Sequence, residues 1–226
     1  MKRQIIATSD GSKTIHLPDW NESYHSKHGA VQEAKHVFIR SGLNQISHAP
    51  VQILEIGFGT GLNAILTLIE AKNSAVTVHY SALEAYPVTW DEIKALKYYE
   101  LAEVSDYNSE YQQMHKTMWD IEEKITQSFQ LKKIHSTMED FYPEVEKFDL
   151  IYFDAFGPRV QPEMWTAEVF NKMFGCMTEE GILVTYCSKG QVRRDMIAAG
   201  FKVEKIPGPP GKREMLRAIK PKNNEL

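Results

Sequence analysis

The chain has 226 residues, is 42% hydrophobic and 25% charged, and carries a formal net charge of −4. This length suits one α/β domain with its own buried core, and the composition excludes a disordered, fibrous or disulfide-stapled chain. Cys176 and Cys187 have no second thiol at ligand spacing, so no metal is expected. No stretch approaches the ~20 apolar residues of a membrane span and no apolar leader follows Met1, so a cytoplasmic protein without a membrane partner is expected.

In chain order, residues 51–56 (VQILEI) form a short apolar run ending in glycines, which predicts a buried strand. Residues 62–72 follow with Leu62, Ile65, Leu66 and Ile69 at helical spacing. Residues 75–83 read as a second strand and 88–101 as a helix. Residues 107–130 read as one amphipathic helix with Met114, Met118, Ile121 and Ile125 on its apolar stripe. Residues 131–137 and 148–153 are predicted strands. Residues 162–177 are predicted as a helix opened by Pro162. A strand at 181–186, a helix at 191–199 and strands at 201–206 and 214–219 complete the chain. Strands alternating with helices imply a mostly parallel sheet. The link Pro207-Gly208-Pro209-Pro210-Gly211-Lys212 is too short for a crossover helix, so the last two strands should pair antiparallel. This α/β, Rossmann-like arrangement is that of class I methyltransferases.

Between the first predicted strand and helix stands Glu55-Ile56-Gly57-Phe58-Gly59-Thr60-Gly61-Leu62-Asn63. Glycines there let the backbone turn sharply and approach a ligand beyond the strand ends. The spacing is G-x-G-x-G, not the G-x-G-x-x-G of dinucleotide folds, and there is no phosphate loop. Glu84 closes the next strand, where a carboxylate can accept both ribose hydroxyl protons. Together these favour an adenosine ligand of the S-adenosyl-L-methionine kind. Glu139 and Asp140 follow the strand at 131–137 and stand as partners for the adenine amine, with helix capping or solvation the alternative for Asp140. Asp154-Ala155-Phe156-Gly157-Pro158 closes the strand at 148–153. A carboxylate there can hydrogen-bond an attacking amine and take its proton. Trp165 is a candidate to stack on a base, with a place in the core as the alternative.

Residues 186–226 hold ten Lys or Arg and four acids, a balance of +6, which leaves −10 on the rest. Such asymmetry suggests a polyanion partner or simply a solvated face.

These motifs together resemble the methyltransferase domain of the MnmC family. The resemblance rests on EIGFGTGLN at 55–63, DAFGP at 154–158 with PEMWT at 162–166, and TY at 185–186. It also rests on VRR at 192–194, AGF at 199–201, GPPGKREML at 208–216, and ESYHSKHGA at 22–30 with Glu33 and HVF at 36–38. It implies S-adenosyl-L-methionine-dependent N-methylation of the 5-aminomethyl group of (2-thio)uridine at the tRNA wobble position. It further implies a stand-alone, MnmD-type domain over 1–226 without the FAD-dependent oxidoreductase of bifunctional members. In this scheme residues 1–48 close the cofactor pocket, residues 49–220 form the core, and no stable protein partner is implied. The family resemblance assigns Asp154 to the amine, and Glu55, Gly57, Phe58, Gly59, Gly61, Asn63, Glu84, Tyr24 and Ser26 to the cofactor, with Glu33 and His36 as candidates for the same wall. It places Tyr186, Arg193, Lys212 and Arg213 toward the tRNA anticodon loop. The competing expectations are a small-molecule amine methyltransferase or aminopropyltransferase on the same fold, and a non-catalytic binding module.

Overall fold

A computed structural model describes residues 2–8, 11–25 and 29–222. The chain opens with three short strands, β1 (Gln4–Ala7), β2 (Lys13–Leu17) and β3 (Glu22–Ser23), paired antiparallel in a sheet of their own. Helix α1 (Ala30–Ala34) runs into a wider π-helical turn, Lys35–Arg40. The core then alternates: β4 (Val51–Ile56), α2 (Leu62–Asn73), β5 (Val78–Glu84), α3 (Trp90–Leu96), α4 (Asn108–Lys116), β6 (Glu122–Thr126), β7 (Phe129–His135) and β8 (Phe148–Phe153). It finishes with α5 (Ala167–Cys176), β9 (Met177–Thr185), α6 (Gly190–Ala198), β10 (Lys202–Pro207) and β11 (Glu214–Ile219).

These last eight strands form one sheet in the order β10-β11-β9-β8-β4-β5-β7-β6. The inner pairs β9/β8, β8/β4, β4/β5 and β5/β7 are parallel, while β10/β11, β11/β9 and β6/β7 are antiparallel. The expected Rossmann-like sheet with its antiparallel C-terminal pair is what forms. Side chains alternate across the sheet with the two-residue period of a strand. In β8, Leu150 and Tyr152 join the layer under α1, α2, α3 and α4, whereas Ile151 and Phe153 join the layer under α5 and α6. The strand is buried on both faces, which is why it reads as an unbroken apolar run.

Two expected helices are corrected, and one sheet is added. The helix expected over 107–130 stops at Lys116, because Thr117 turns to an extended backbone (ψ 148°) and the next strands pair as a hairpin. Its stripe dissolves with it: Met114 and Ile125 are buried from different elements, while Met118 and Ile121 are exposed. The helix expected over 162–177 is divided at Thr166, whose hydroxyl accepts from the Val169 N–H and starts α5 afresh after a 3-10 turn. The sheet of β1, β2 and β3 was not expected at all.

Opposite the ligand side, Asp149 ties three strands together. Its Oδ2 accepts from the Gln52 backbone N–H at 2.8 Å and its Oδ1 accepts from the Thr178 hydroxyl at 3.1 Å, with His48 Nε2 at 3.3 Å. Asp149→Ala strands those donors, so it should cost roughly 2–3 kcal/mol, read by thermal unfolding as a Tm loss of about 4–12 °C. Ligand affinity should be unchanged, since the residue lies at the far end of the sheet from the pocket described next.

Candidate active site

Strand order reverses at β4, with β5 on one side and β8 on the other. In open α/β sheets the ligand crevice opens there, beyond the carboxyl ends of the strands. The chain leaves β4 with the Gly57 and Phe58 N–H groups both donating to the Leu83 carbonyl (2.9 and 3.1 Å). Gly57 and Gly59 have φ of +95° and +52°, a region costly for other residues. A Cβ on Gly57 would also lie 3.0 Å from the Asp154 carbonyl oxygen, a backbone atom with no room to yield. Glu84 braces the loop from β5: its Oε2 accepts from the Gly59 N–H and its Oε1 from the Tyr86 N–H, both at 2.8 Å.

Asn63, in the first turn of α2, joins two acids. Its Nδ2 donates to Glu55 Oε1 and to Asp154 Oδ2, each at 2.8 Å. Glu55 is fully buried at the end of β4, and desolvation lifts its carboxyl well above the usual range despite the Asn63 bond. Asp154 follows β8 on the pocket floor. Its open surface faces the cavity rather than bulk water, and that burial pushes its carboxyl up to about 8; Asn63 offsets part of the shift and the Glu33 charge adds to it. Tyr80 Oη lies within electrostatic reach of Glu55 but makes no hydrogen bond of ordinary geometry.

The cavity above this floor is about 460 Å³, within the size range of small-molecule sites. Residues 20–25 wall one side. Tyr24 and Trp20 pack edge-on against Phe156 of the loop after β8, with centroids at 5.0 and 5.5 Å. Two arginines pin this wall. Arg3 donates to the Tyr86 and Pro87 carbonyls and pairs with Glu92, while Arg159 donates to the Trp20 carbonyl and pairs with Glu22. At the other end the Tyr186 hydroxyl donates to the Ala155 carbonyl at 2.9 Å. Lys212 Nζ lies 4.1 Å over the Tyr186 ring and 3.1 Å from Glu33 Oε1.

Of the residues singled out in the sequence, Tyr24, Gly57, Phe58, Gly59, Asn63, Glu84, Asp154, Tyr186, Lys212 and Glu33 line this one cavity. Glu55 lies beneath the floor, and Gly61 starts α2 against Phe58 and His115. Ser26 lies outside the described residues. Glu139 and Asp140 do not reach the cavity: both are exposed, and Asp140 accepts from the Thr137 hydroxyl in a local turn; Ser136 and Met138 line the pocket there instead. Trp165 is not a stacking platform but core, 4% exposed, its indole N–H donating to the Phe156 carbonyl at 2.8 Å. Arg193 and Arg213 lie outside the lining, on α6 and the β10–β11 link. His36 Nε2 is 2.9 Å from the Pro207 carbonyl and is likewise outside. Of the aromatic wall, Phe156 entered the sequence reading only within the motif at 154–158, and Trp20 carried no signal.

The charges of the lining point to a cationic ligand. Glu22, Glu33 and Glu84, joined by Asp154 when it is ionised, face it, and among the described lining residues Lys212 is the one lysine or arginine, which opposes an anionic dinucleotide and suits a sulfonium. The bare glycine turn and the Glu84 carboxylate fit an adenosine moiety. Among the described residues no cluster of metal-ligating side chains occurs, and no helix is long and apolar enough to cross a membrane.

Comparison with known proteins agrees with this geometry. The profile of the S-adenosyl-L-methionine-dependent methyltransferases matches residues 95–221. The chain is 33% identical over 212 residues to the tRNA 5-methylaminomethyl-2-thiouridine biosynthesis bifunctional protein MnmC of Leptospira interrogans, covering 87% of this chain and 32% of that protein. It is 28% identical over 228 residues to the protein of the same name from Hydrogenovibrio crunogenus, covering 95% and 33%. The chain thus spans about a third of the length of the curated relatives it matches. Its fold superposes on the crystal structure of MnmC2 from Aquifex aeolicus with a TM-score of 0.73 and 25% identity, covering 96% of this chain and 70% of that one. Fold and site define a class I methyltransferase. The chain belongs to the S-adenosyl-L-methionine-dependent methyltransferase family, and S-adenosyl-L-methionine is its cofactor.

A carboxyl whose folded pKa is raised is protonated in the native state while the unfolded chain has already ionised. Its contribution to stability therefore falls as pH rises from the unfolded value of 3.8 toward about 8. Asp154→Asn removes that penalty. The variant should be more stable than the parent by on the order of 1–2 kcal/mol after allowance for exposure to the cavity, or roughly 2–8 °C in Tm. The gain should grow from pH 5 to pH 8 in thermal melts; a gain that shrinks over that range would refute the shifted carboxyl.

Proposed function

We propose that the chain methylates the exocyclic amine of 5-aminomethyl-(2-thio)uridine at the tRNA wobble position, giving 5-methylaminomethyl-(2-thio)uridine. The observation that carries the reading is Asp154: a carboxyl on the floor of an acidic cavity, oriented by Asn63 and raised to about 8. The names of the matched relatives supply the substrate class.

The chemistry asks three things of the chain. When bound, the cofactor supplies an electrophilic methyl on a sulfonium centre. The amine must meet it with a free lone pair, so an arriving ammonium has to give up one proton first. Asp154 in its ionised form is the proposed acceptor, so the competent fraction rises with pH toward and past about 8. A carboxyl near 8 lies closer to an alkyl ammonium, about 10.4 for lysine, than an ordinary one does, which lowers the cost of that transfer. Asn63 fixes the direction of Asp154, and Glu84 with the glycine turn holds the adenosine end, so that both reactants meet over the floor. The wall formed by residues 20–25 limits water above them, and residues 1–48 are proposed as the extension that closes the pocket over a core of residues 49–220.

The anticodon loop offers bases that can splay into such a pocket. The rim supplies cations for its phosphates. Of the ten basic residues after Tyr186, Lys205, Lys212, Arg217, Lys220 and Lys222 are engaged in ion pairs. Lys189, Arg193 and Arg194 near the start of α6 and Arg213 beside Lys212 remain for an RNA, whereas Lys202 opens β10 at the end of the sheet away from the cavity. An acidic cavity by itself would also take a small free amine; the basic rim favours the polyanion.

The test incubates the protein with S-adenosyl-L-methionine and tRNA from a strain lacking the wobble methyltransferase, then weighs the nucleosides. One added methyl on the 5-aminomethyl nucleoside is expected. Asp154→Ala should lower the rate by roughly 10²–10⁴-fold with cofactor affinity retained. Activity should fall steeply between 50 and 200 mM salt. Methylation of free amines but not of tRNA would replace this reading with the small-molecule one.

A further inference from the structure

The cavity is directional. Along the sheet its floor runs from Glu84 after β5, past the glycine turn after β4 and Asp154 after β8, to Tyr186 after β9. Glu84 marks the adenosine end. The Tyr186 end lies beyond Asp154, on the side from which an acceptor would approach. At that end the chain already holds an alkyl ammonium, its own. Lys212 Nζ sits 3.1 Å from Glu33 Oε1 and 4.1 Å from the centre of the Tyr186 ring. A carboxylate beside an aromatic face is a general means of binding such a cation. Glu33 is well shielded, with 15% of its side chain exposed, whereas Lys212 is 37% exposed on a Gly-Pro-rich link. The carboxylate is therefore the fixed member and the lysine the movable one. Glu33 and Asp154 line the same cavity, so a cation held at Glu33 shares that space with the proposed proton acceptor.

We propose that Glu33 and the Tyr186 ring form the receiving site for the substrate's alkylammonium, that Lys212 holds this site as an internal mimic in the free protein, and that substrate binding sends Lys212 outward to a phosphate. The proposal rests on the aminomethyl-tRNA reading above. It conserves charge: one internal ion pair is exchanged for two intermolecular ones, ammonium with Glu33 and phosphate with Lys212. A substrate that brings both a cation and a nearby anion can complete the exchange, and a ligand with only one of them cannot. Glu33 is in this scheme a specificity residue and Lys212 a gate; neither is asked to transfer a proton.

The test compares binding of two anticodon stem-loops, one carrying 5-aminomethyluridine and one plain uridine at the wobble position. The preference for the first over the second is measured for the parent, Glu33→Gln, Glu33→Asp and Lys212→Ala, beside affinity for S-adenosyl-L-methionine. Glu33→Gln should reduce the preference about tenfold, by loss on the aminomethyl loop and some gain on the plain loop, whose phosphates then meet a freed Lys212, with little change in cofactor affinity, and Glu33→Asp should restore part of it. Lys212→Ala should weaken both loops and flatten the salt dependence while increasing the preference, because the competing ammonium is gone. An unchanged preference in Glu33→Gln, or a reduced one in Lys212→Ala, overturns the exchange. A loss of cofactor affinity in Glu33→Gln would overturn it too, assigning the carboxylate to the cofactor's own amino group. A parent that methylates neither loop would instead remove the reading of the function, which keeps the two failures apart.

Discussion

One side-chain amide holds the chemistry of this protein in place. Asn63 offers its NH₂ group to two carboxyls at equal distance, one below the pocket floor and one on it. Two carboxyls sharing a buried donor repel each other when both are charged, and burial raises both. Glu55 is sealed beneath the floor, whereas Asp154 meets the cavity and can exchange a proton with what enters it. The arrangement needs β4, β8 and the first turn of α2 in register, which the parallel ladder between Ile53–Ile56 and Leu150–Phe153 enforces. It also leaves Glu55 Oε2, Asn63 Oδ1 and Tyr80 Oη buried without partners. Unsatisfied polar atoms in one layer oppose stability and concentrate where function demands them.

Much of this was legible in the sequence because the central strands β4 and β8 are buried on both faces and read as apolar runs. The runs at 51–56, 148–153 and 214–219 match their strands residue for residue. The loop chemistry was legible for a different reason. Glycines in tandem followed by a polar residue in the first helical turn have few structural uses other than holding a ligand. What failed was information carried by partners distant in the chain. The expected stripe runs from the end of α4 into β6, and spacings of three and four over so short a span do not tell one long helix from a helix followed by a strand. Glu139 and Asp140 carry the right chemistry, but the turn made by Thr137 and Asp140 points them to solvent, and the local sequence does not encode that direction. Trp165 became core because Phe153, Phe170 and Tyr186 surround its ring and Phe156 satisfies its N–H.

The charge asymmetry of the sequence overstates the basic surface. Half of the cations after Tyr186 are spent on acids of the body: Glu204 and Glu214 within the closing hairpin, Glu146 and Glu180 beside Lys220 and Lys222, and Glu33 across the pocket mouth. Most of these pairs are exposed and add little to stability. Outside these pairs, Lys189, Arg193, Arg194 and Arg213 lie toward the mouth of an acidic cavity, and Lys202 lies at the far end of β10. A formal count of +6 thus resolves into a short basic rim around an anionic well.

Floor and wall of the pocket come from separate stretches of chain, and this has a consequence for how the protein can change. Asp154, Asn63 and the glycine turn close strands or open a helix of the eight-stranded sheet, so altering them disturbs the framework as well as the site. The wall of residues 20–25 hangs from a separate sheet whose first two strands pack on α3, and it is held by Arg159, which donates to the Trp20 carbonyl, and by Arg3 just before β1, which donates to the Tyr86 and Pro87 carbonyls of the framework. Backbone carbonyls are present whatever side chains the wall displays. The wall can therefore be rewritten residue by residue while its anchorage persists, and new ligand preferences can be explored there at small cost to folding.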